Sequence, residues 1–223
     1  MTSEQNKTFP RLDVLAEAQR RLWDELGATP PGFVLYGGTA IALRLGHRQS
    51  EDFDFFSNEP FAPLALKSSV GYLSEAETVQ SAANTLTCIV HRGGPVQVSF
   101  FGGLNLSRVA EPQRATGIWV ASLLDLMATK LAVLMERAAY KDYFDIDALL
   151  NAGVDLAEGL GAAQAVYGSQ FNPFISLKAL MFYGEGDLHR LDPAACARLT
   201  TAAEKLNPRR LPAIASRKGL LLQ

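Results

Sequence analysis

The sequence contains few of the residues that build disulfide frameworks or histidine and cysteine metal sites. Its 223 residues include only two cysteines, Cys88 and Cys196, and three histidines. The cysteines lie far apart in the chain and match no spacing typical of zinc sites or redox motifs, so we expect reduced core thiols. The histidines do not cluster, and no local context supports a Ser/His/Asp or Cys/His catalytic set. A disulfide-stabilised domain and these two kinds of nucleophilic enzyme are therefore not expected.

A large charge excess and a long apolar segment are also missing. The formal net charge is −2 at pH 7, so composition indicates no general attraction to nucleic acid, although a local basic cleft is compatible with it. No apolar run approaches the ~18 residues of a membrane span, and the polar start MTSEQNK does not resemble a signal peptide. We therefore expect a soluble, cytoplasmic chain without a membrane partner. Its length suits one sizeable domain or two small ones.

The most informative stretch is FVLYGGTAIALRLGHRQSEDFDFF, at positions 33–56. It predicts a buried strand, a Gly-Gly turn, a short helix at about 39–45, a basic loop, and a second strand that carries Asp52 and Asp54. Because side chains alternate along a strand, Asp52 and Asp54 point to the same face. Two like charges on one face of an aromatic strand repel each other and lose hydration, which suggests a cation between them.

Gly37 and Gly38 stand between the first strand and the helix. A glycine pair can be a tight structural turn and nothing more. It also lets the backbone approach a ligand closely, and the free N–H groups of a helix N-terminus attract phosphate. The spacing is neither that of a P-loop nor that of a dinucleotide fingerprint. With Asp52 and Asp54 following, the pattern indicates a phosphate-binding turn beside a Mg²⁺ site, as in metal-assisted phosphoryl or nucleotidyl transfer.

The sequence becomes helical after residue 121. We predict a first helix at 10–26, a weakly periodic one at 64–73, and then helices at about 122–137, 139–151, 156–167, 175–182 and 193–206. Ser122 followed by Asp125 resembles a capping box. The expected fold class is α/β: a mixed twisted sheet of four to six strands with flanking helices in residues 1–120, then a helical bundle in residues 121–223, with a cleft between the two.

Basic and acidic residues occupy the first two helices of this second half. Lys130 and Arg137 lie at the edge of the apolar stripe, where they either extend toward solvent over the core or reach a cleft and bind a triphosphate. Asp142 and Asp145 share one flank of the next helix. Asp147 lies on the other side, where a solvated position is one interpretation.

The stretch GGTAIALRLGHRQSEDFDFF resembles the signature of the nucleotidyltransferase superfamily, specifically its AbiEii/AbiGii toxin-like branch. That signature is a glycine pair or Gly-Ser, a spacer of about ten or more residues, and Asp-x-Asp. The resemblance includes the basic loop and the later Lys–Arg and Asp-rich helices, so that it covers most of residues 33–150. It is weaker in FNPFISLKALMFY, at positions 171–183.

The resemblance implies a nucleotidyltransferase toxin of a type IV toxin–antitoxin or abortive-infection system. Such an enzyme uses Mg²⁺ or Mn²⁺ and transfers a nucleotide from a nucleoside triphosphate (NTP) to an RNA, tRNA included, or to a protein. It also implies a cognate antitoxin that acts as a transcriptional regulator. The implied metal ligands are Asp52 and Asp54, and the implied catalytic residues are Asp52, Asp54, Lys130 and Asp142. Asp142 and Asp145 resemble the paired acids of the family, so Asp142 could act as a general base or orient Lys130 or Arg137, and the sequence does not decide. The implied nucleotide-binding residues are Gly37, Gly38, Thr39, Arg44, Arg48, Arg137 and Asp145.

One position departs from the pattern of many superfamily members, which have a third metal carboxylate on a later strand. The candidate strand here, at 96–101, carries Gln97 and Ser99 instead of an acid. Two interpretations follow: an enzyme that uses one ion delivered with the nucleotide, or a catalytically weak or inactive nucleotide-binding module. A housekeeping or antibiotic-modifying nucleotidyltransferase would have the same site and differ only in its acceptor.

Overall fold

The computed structural model of this chain describes residues 9–221. These residues form two compact units. Of the described residues, the first unit comprises 9–105, 112–121 and 220–221, and the second comprises 106–111 and 122–219.

Nine β-strands occur within residues 9–221. In chain order they are β1 (Val34–Tyr36), β2 (Asp52–Phe56), β3 (Glu77–Ala82), β4 (Thr85–His91), β5 (Pro95–Phe101), β6 (Ser107–Arg108), β7 (Gln113–Ala115), β8 (Ile118–Val120) and β9 (Arg217–Lys218). Seven of them form a mixed sheet in the first unit, in the order β3-β4-β5-β2-β1-β8-β7, and β6 pairs with β9 in the second. The predicted fold class, a mixed sheet with helices, is confirmed.

The sheet has more strands than the four to six that the sequence predicts. Its two edge strands, β3 and β7, are the ones that the sequence pattern does not reveal. The β3 sequence, ETVQSA, is exposed along its whole length, and so it lacks the alternating apolar pattern of a half-buried strand. The β7 sequence, QRA, is only three residues long. Both are held by pairing with a neighbour, β4 and β8 respectively.

The core of the first unit lies against one face of β2. Phe53 and Phe55 are fully buried, and the Phe55 ring stacks on Phe100 of β5 with centroids 5.3 Å apart. Asp52 and Asp54 alternate with these residues and are partly exposed on the other face. The period of two therefore separates an aromatic core face from an acidic face, as predicted.

Eight α-helices occur in the same described residues. In chain order they are α1 (Glu17–Trp23), α2 (Gly37–Leu45), α3 (Pro63–Ser69), α4 (Leu123–Val133), α5 (Tyr140–Asn151), α6 (Leu156–Tyr167), α7 (Pro173–Ala179) and α8 (Pro193–Glu204). The predicted helices at 10–26 and 64–73 are both shorter than expected. The first is interrupted because Leu15 and Ala16 are extended, and the Ala16 N–H donates to Gln19 Oε1 over 3.1 Å.

Ser122 is the N-cap of α4, as predicted, but the Asp125 side chain does not complete a reciprocal capping box, and the helix ends earlier than predicted. Ser122 caps the helix, since its hydroxyl oxygen accepts from the Asp125 N–H over 3.0 Å. The Asp125 carboxylate accepts from the N–H groups of Val109 and Ala110, which secures the 106–111 segment within the second unit. The helix ends at Val133 in a turn, and so Arg137 lies beyond it and not on the same helix as Lys130, contrary to the prediction.

Composition also led us to expect reduced core thiols and no membrane-spanning segment. Cys88 and Cys196 are both free thiols, the first buried and the second partly exposed, so only Cys88 lies in the core. Within residues 9–221, no helix combines the length and the apolar character that a membrane crossing requires.

Candidate active site

Two carboxylates project from the partly exposed face of β2. Asp52 and Asp54 are brought together by the strand period. The antiparallel neighbour β1 places Tyr36 opposite Asp54. The parallel neighbour β5 places Gln97 opposite Asp52 and Ser99 opposite Asp54. Among residues 9–221, no group of three or more His, Cys, Asp or Glu side chains could hold a metal ion. The acidic donors of this site are therefore two carboxylates.

Gly37 lies beside one member of this acidic pair, Asp54. Its φ of +74° is in the left-handed region that favours glycine. A Cβ at this position would also lie 2.6 Å from Asp54 Oδ2, which is closer than any real Cβ contact. Gly37 thus lets the backbone at the start of α2 pass beside the Asp54 carboxylate. The N-terminus of α2 has no side-chain cap, because its N-cap residue, Tyr36, makes no capping hydrogen bond.

Replacing Gly37 with alanine is expected to impair nucleotide transfer about tenfold or more and to cost about 1–3 kcal/mol of stability, because the new Cβ displaces Asp54 and the backbone is strained. Gly153 offers a matched control, since its φ is also positive, at +91°, but a Cβ there would meet nothing within 4 Å. Gly153→Ala should therefore lower the stability through backbone strain alone and leave transfer unchanged. Urea unfolding and a transfer assay on both variants test this, and equal effects would contradict it.

The next two sequence-predicted residues lie at the first turn of α2. Gly38 faces the Arg48 guanidinium, which a Cβ would overlap, and the Ser50 hydroxyl, at 3.0 Å from that position. The glycine therefore lets Arg48 approach the start of the helix. The buried Thr39 hydroxyl donates a short hydrogen bond to the backbone carbonyl of Asp52. Thr39 thus fixes α2 against β2, since its proton is used within the protein.

Arg44 is directed elsewhere. Its Nε donates to the carbonyl of Ala121 over 2.6 Å, and its Nη2 donates to the carbonyl of Val120 over 3.0 Å. A third donor, Nη1, reaches the Gln113 side-chain oxygen at 3.2 Å. Arg44 therefore joins the end of α2 to the end of β8. These contacts give Arg44 a structural role.

The second unit contains a cluster of four charges, named here the Lys130 cluster: Lys130, Arg137, Asp142 and Asp145. Lys130 Nζ lies 2.7 Å from Asp142 Oδ1 and 2.8 Å from Asp145 Oδ2. Arg137 Nε donates to Asp142 Oδ2 over 2.8 Å. Asp142 is 1% exposed and Asp145 0%, whereas the Arg137 side chain is 63% exposed. Two cations therefore balance two buried anions.

The geometry of the cluster distinguishes between the interpretations left open by the sequence. The Lys130 ammonium lies between two buried carboxylates and does not extend toward solvent, so the solvent-directed interpretation is wrong for this residue. Burial raises the pKa of Asp142, but the hydrogen bond from Arg137 and the charge of Lys130 outweigh it, and the net pKa is below its ordinary value. A buried acid with a lowered pKa and two cationic donors is poorly suited as a base. These contacts favour Asp142 as an orienting partner.

Because the folded-state pKa of Asp142 lies below its ordinary value of 3.8, its stabilising contribution is complete above that pH. It is lost as the pH falls through the lower, folded-state pKa. We expect Asp142→Asn to lower the free energy of unfolding by about 2–4 kcal/mol near neutral pH. The difference from wild type should shrink as the pH falls below 3.8. Urea unfolding of both proteins across this range measures it, and a difference that does not change with pH would contradict the assignment.

Contacts around the cluster include two that the sequence did not predict. Asp147, on the other side of α5, accepts from Arg198 Nε and Nη2 of α8 over 2.8 and 2.7 Å. It is 5% exposed, so the interpretation of a solvated flank is wrong. The buried Ser176 of α7 donates to the carbonyl of Leu131, the residue after Lys130, over 2.7 Å. In the sequence, Asp147 is visible only as an acid beside apolar residues, and Ser176 only as a small polar residue in an apolar helix.

Comparisons with known proteins identify the family and the fold. The family model for the nucleotidyl transferase AbiEii toxin of type IV toxin–antitoxin systems matches residues 21–195. An uncharacterized protein of Aquifex aeolicus (strain VF5) is 32% identical over 130 residues, which are 56% of this chain and 62% of that protein. The solved structure of MenT4, a nucleotidyltransferase toxin from Mycobacterium tuberculosis H37Rv, aligns with a TM-score of 0.55 at 15% identity over 88% of this chain and 84% of its own, which shows a shared fold. Because the family match spans more than half of the residues, this chain belongs to the AbiEii nucleotidyl transferase toxin family.

Proposed function

We propose that the chain is a metal-dependent nucleotidyltransferase that transfers a nucleotide from an NTP to an RNA or protein acceptor, as the toxin of a toxin–antitoxin pair. The observation that carries this proposal is the close approach of the Gly37 backbone to Asp54, which leaves no room for a Cβ. It joins an uncapped helix N-terminus, which attracts phosphate, to a pair of carboxylates on one strand face, which attract a cation. A metal–NTP complex contains both of these groups, phosphate and a divalent cation.

The donor chemistry of β2 fits Mg²⁺ or Mn²⁺. Asp52 and Asp54 offer hard carboxylate oxygens, and Mg²⁺ is commonly bound by one or two carboxylates together with substrate phosphates. When bound, the ion supplies Lewis-acid stabilisation of the phosphate oxygens. Thr39 supports this donor set, because its hydrogen bond to the Asp52 carbonyl fixes the position of the strand.

The phosphates would be bound by the start of α2. The backbone N–H groups at Gly37 and Gly38 provide neutral donors, and the Arg48 guanidinium beside Gly38 provides a positive charge. In the reaction, an acceptor hydroxyl oxygen forms a bond to the α-phosphorus, the α–β phosphoanhydride bond breaks, and pyrophosphate leaves with the bonding electron pair. The acceptor proton is released to a base or to solvent.

We further propose that residues 1–120 bind the NTP and that residues 121–223 contribute the Lys130 cluster to the same reaction. Arg137 is the exposed cation of the cluster and would bind phosphate oxygens as a planar fork. Lys130 would supply a point charge oriented by Asp142 and Asp145. Stabilisation of charge on the leaving pyrophosphate is the chemistry that such cations provide.

A second candidate function is a catalytically weak or inactive nucleotide-binding module. The observation that favours it is the register of β5, which places Gln97 and Ser99 opposite Asp52 and Asp54 where a third acid would otherwise stand. In either case, the proposed partners are an NTP and an antitoxin that acts as a transcriptional regulator.

One experiment separates the two functions. Each of the four common NTPs, labelled at the α-phosphate, is incubated with the protein, Mg²⁺ and cell extract, and the products are treated with ribonuclease or protease. Label that is incorporated into macromolecules, and that one of these treatments releases, supports the enzymatic function. The treatment that releases it identifies the acceptor class. Nucleotide binding by calorimetry without transfer to any RNA or protein would favour the module instead.

A further inference from the structure

We propose that Gln97 is a protein ligand of the divalent ion, through its side-chain carbonyl oxygen, together with Asp52 and Asp54. This inference rests on the proposed function. It adds a neutral ligand from a second strand and predicts a site that holds one ion.

The strand register carries the argument. Strands β2 and β5 are parallel, and Asp52 pairs with Gln97 while Asp54 pairs with Ser99. Residues paired in register point to the same face of a sheet, and neighbouring strands lie about 4.8 Å apart. The Gln97 side chain therefore leaves the same face as the two carboxylates, directly beside Asp52.

The side-chain amide of Gln97 is suited to bind a metal ion and has no other recorded role in the described part of the chain. Gln97 is partly exposed, and its side chain makes no hydrogen bond to any residue within 9–221 that the structure records. An amide carbonyl is a hard oxygen donor of the kind that Mg²⁺ and Ca²⁺ sites use. Because the amide is neutral, the two carboxylates together balance the charge of one divalent ion.

Ser99 is less suited to this role. It is 3% exposed, and its hydroxyl oxygen accepts from Thr87 of β4 over 3.3 Å. Its side chain is also shorter than that of Gln97 and is occupied within the sheet. Gln97 is therefore the residue of β5 that we assign to the ion.

The test measures binding of Mn²⁺ without nucleotide. Electron paramagnetic resonance gives the concentration of free Mn²⁺, so the result does not depend on activity or on the choice of nucleotide. Wild type should bind one Mn²⁺ with an affinity that depends on Asp54. Gln97→Leu should raise the dissociation constant for Mn²⁺ about tenfold or more. Loss of a residue that only supports a metal ligand already has an effect of about this size. Gln97→Glu retains an oxygen donor and adds a charge, so it should bind Mn²⁺ at least as tightly as wild type.

The matched control is Gln80→Leu on β3. Gln80 pairs with Thr87, which pairs with Ser99, so it lies on the same face as Asp54 but three strands away. This variant should bind Mn²⁺ as wild type does. Circular dichroism verifies folding, and if Gln97→Leu does not fold, the comparison of Gln97→Glu with wild type decides, since weaker binding there would overturn the assignment.

The outcomes distinguish this inference from the proposed function. If Asp54→Asn loses Mn²⁺ while Gln97→Leu binds it normally, the Gln97 assignment fails and the carboxylate site stands. If wild type shows no Mn²⁺ binding that depends on Asp54, the metal site of the proposed function fails as well. Two bound ions in wild type would also contradict the single-ion assignment.

Discussion

Asp54→Asn is expected to lower the rate of nucleotide transfer about 10³-fold or more. Asp54 is one of two carboxylates on the exposed face of β2, and its Oδ2 lies beside the Gly37 backbone. Replacing it removes half of the negative charge that would hold the ion, and Lewis-acid stabilisation worth several kcal/mol corresponds to about this factor. A transfer assay with α-labelled NTP measures the effect, and Asp54→Ala should likewise abolish any growth arrest on expression.

The control for this prediction is Glu51→Gln. Glu51 is an exposed acid immediately before the strand, so its replacement changes the local charge by the same amount without touching the acidic face of β2. It should transfer nucleotide at close to the wild-type rate. Activity retained in Asp54→Asn, or lost equally in both variants, would contradict the assignment of Asp54 to the metal.

Lys130→Met is expected to lower the free energy of unfolding by about 3–5 kcal/mol, since removing one partner of a buried ion pair leaves uncompensated charge. Lys130 Nζ lies within 2.8 Å of Asp145 Oδ2 and 2.7 Å of Asp142 Oδ1. Without it, two buried carboxylates remain close together, and the hydrogen bonds from Arg137 to Asp142 do not replace the ammonium that lies between them. Urea unfolding followed by circular dichroism measures the loss.

Two further variants make this prediction specific. Lys130→Met combined with Asp145→Asn removes the repulsion, so the double variant should recover a large part of the lost stability. Lys178→Met, at an exposed position of α7, should change stability by no more than about 0.5 kcal/mol. A loss in Lys130→Met as small as that of the surface control would contradict the buried cluster. The same variant should also transfer nucleotide slowly, if Lys130 contributes to the reaction as proposed.

Local sequence patterns predicted the acidic face and the fold class. The period of two in DFDFF is a property of the strand itself, so it places Asp52 and Asp54 on one face whatever surrounds them. The same holds for the Ser122 cap, which depends on residues three apart. The sequence shows Gln97 and Ser99 on the strand where a third acid is expected, and the register pairs them with Asp52 and Asp54.

Long-range contacts explain what the sequence patterns missed. Arg44 follows the glycine turn in the sequence, but its partners, the carbonyls of Val120 and Ala121, lie at and just after the end of β8, far along the chain. The Asp147–Arg198 pair likewise joins two residues that are 51 positions apart, on α5 and α8. No local periodicity encodes such partners, because they depend on how the elements pack. Edge strand β3 was missed for a related reason, since pairing with β4 and not burial holds it.

The position of the label in the NTP tests the central claim most directly. The protein is incubated with acceptor-containing extract and either α-labelled or γ-labelled NTP, with Asp54→Asn in parallel. Nucleotidyl transfer predicts that the α-label joins the acceptor, that the γ-label appears as pyrophosphate, and that the variant does neither. Transfer of the γ-label to the acceptor, or transfer of the α-label that persists in Asp54→Asn, would contradict this account.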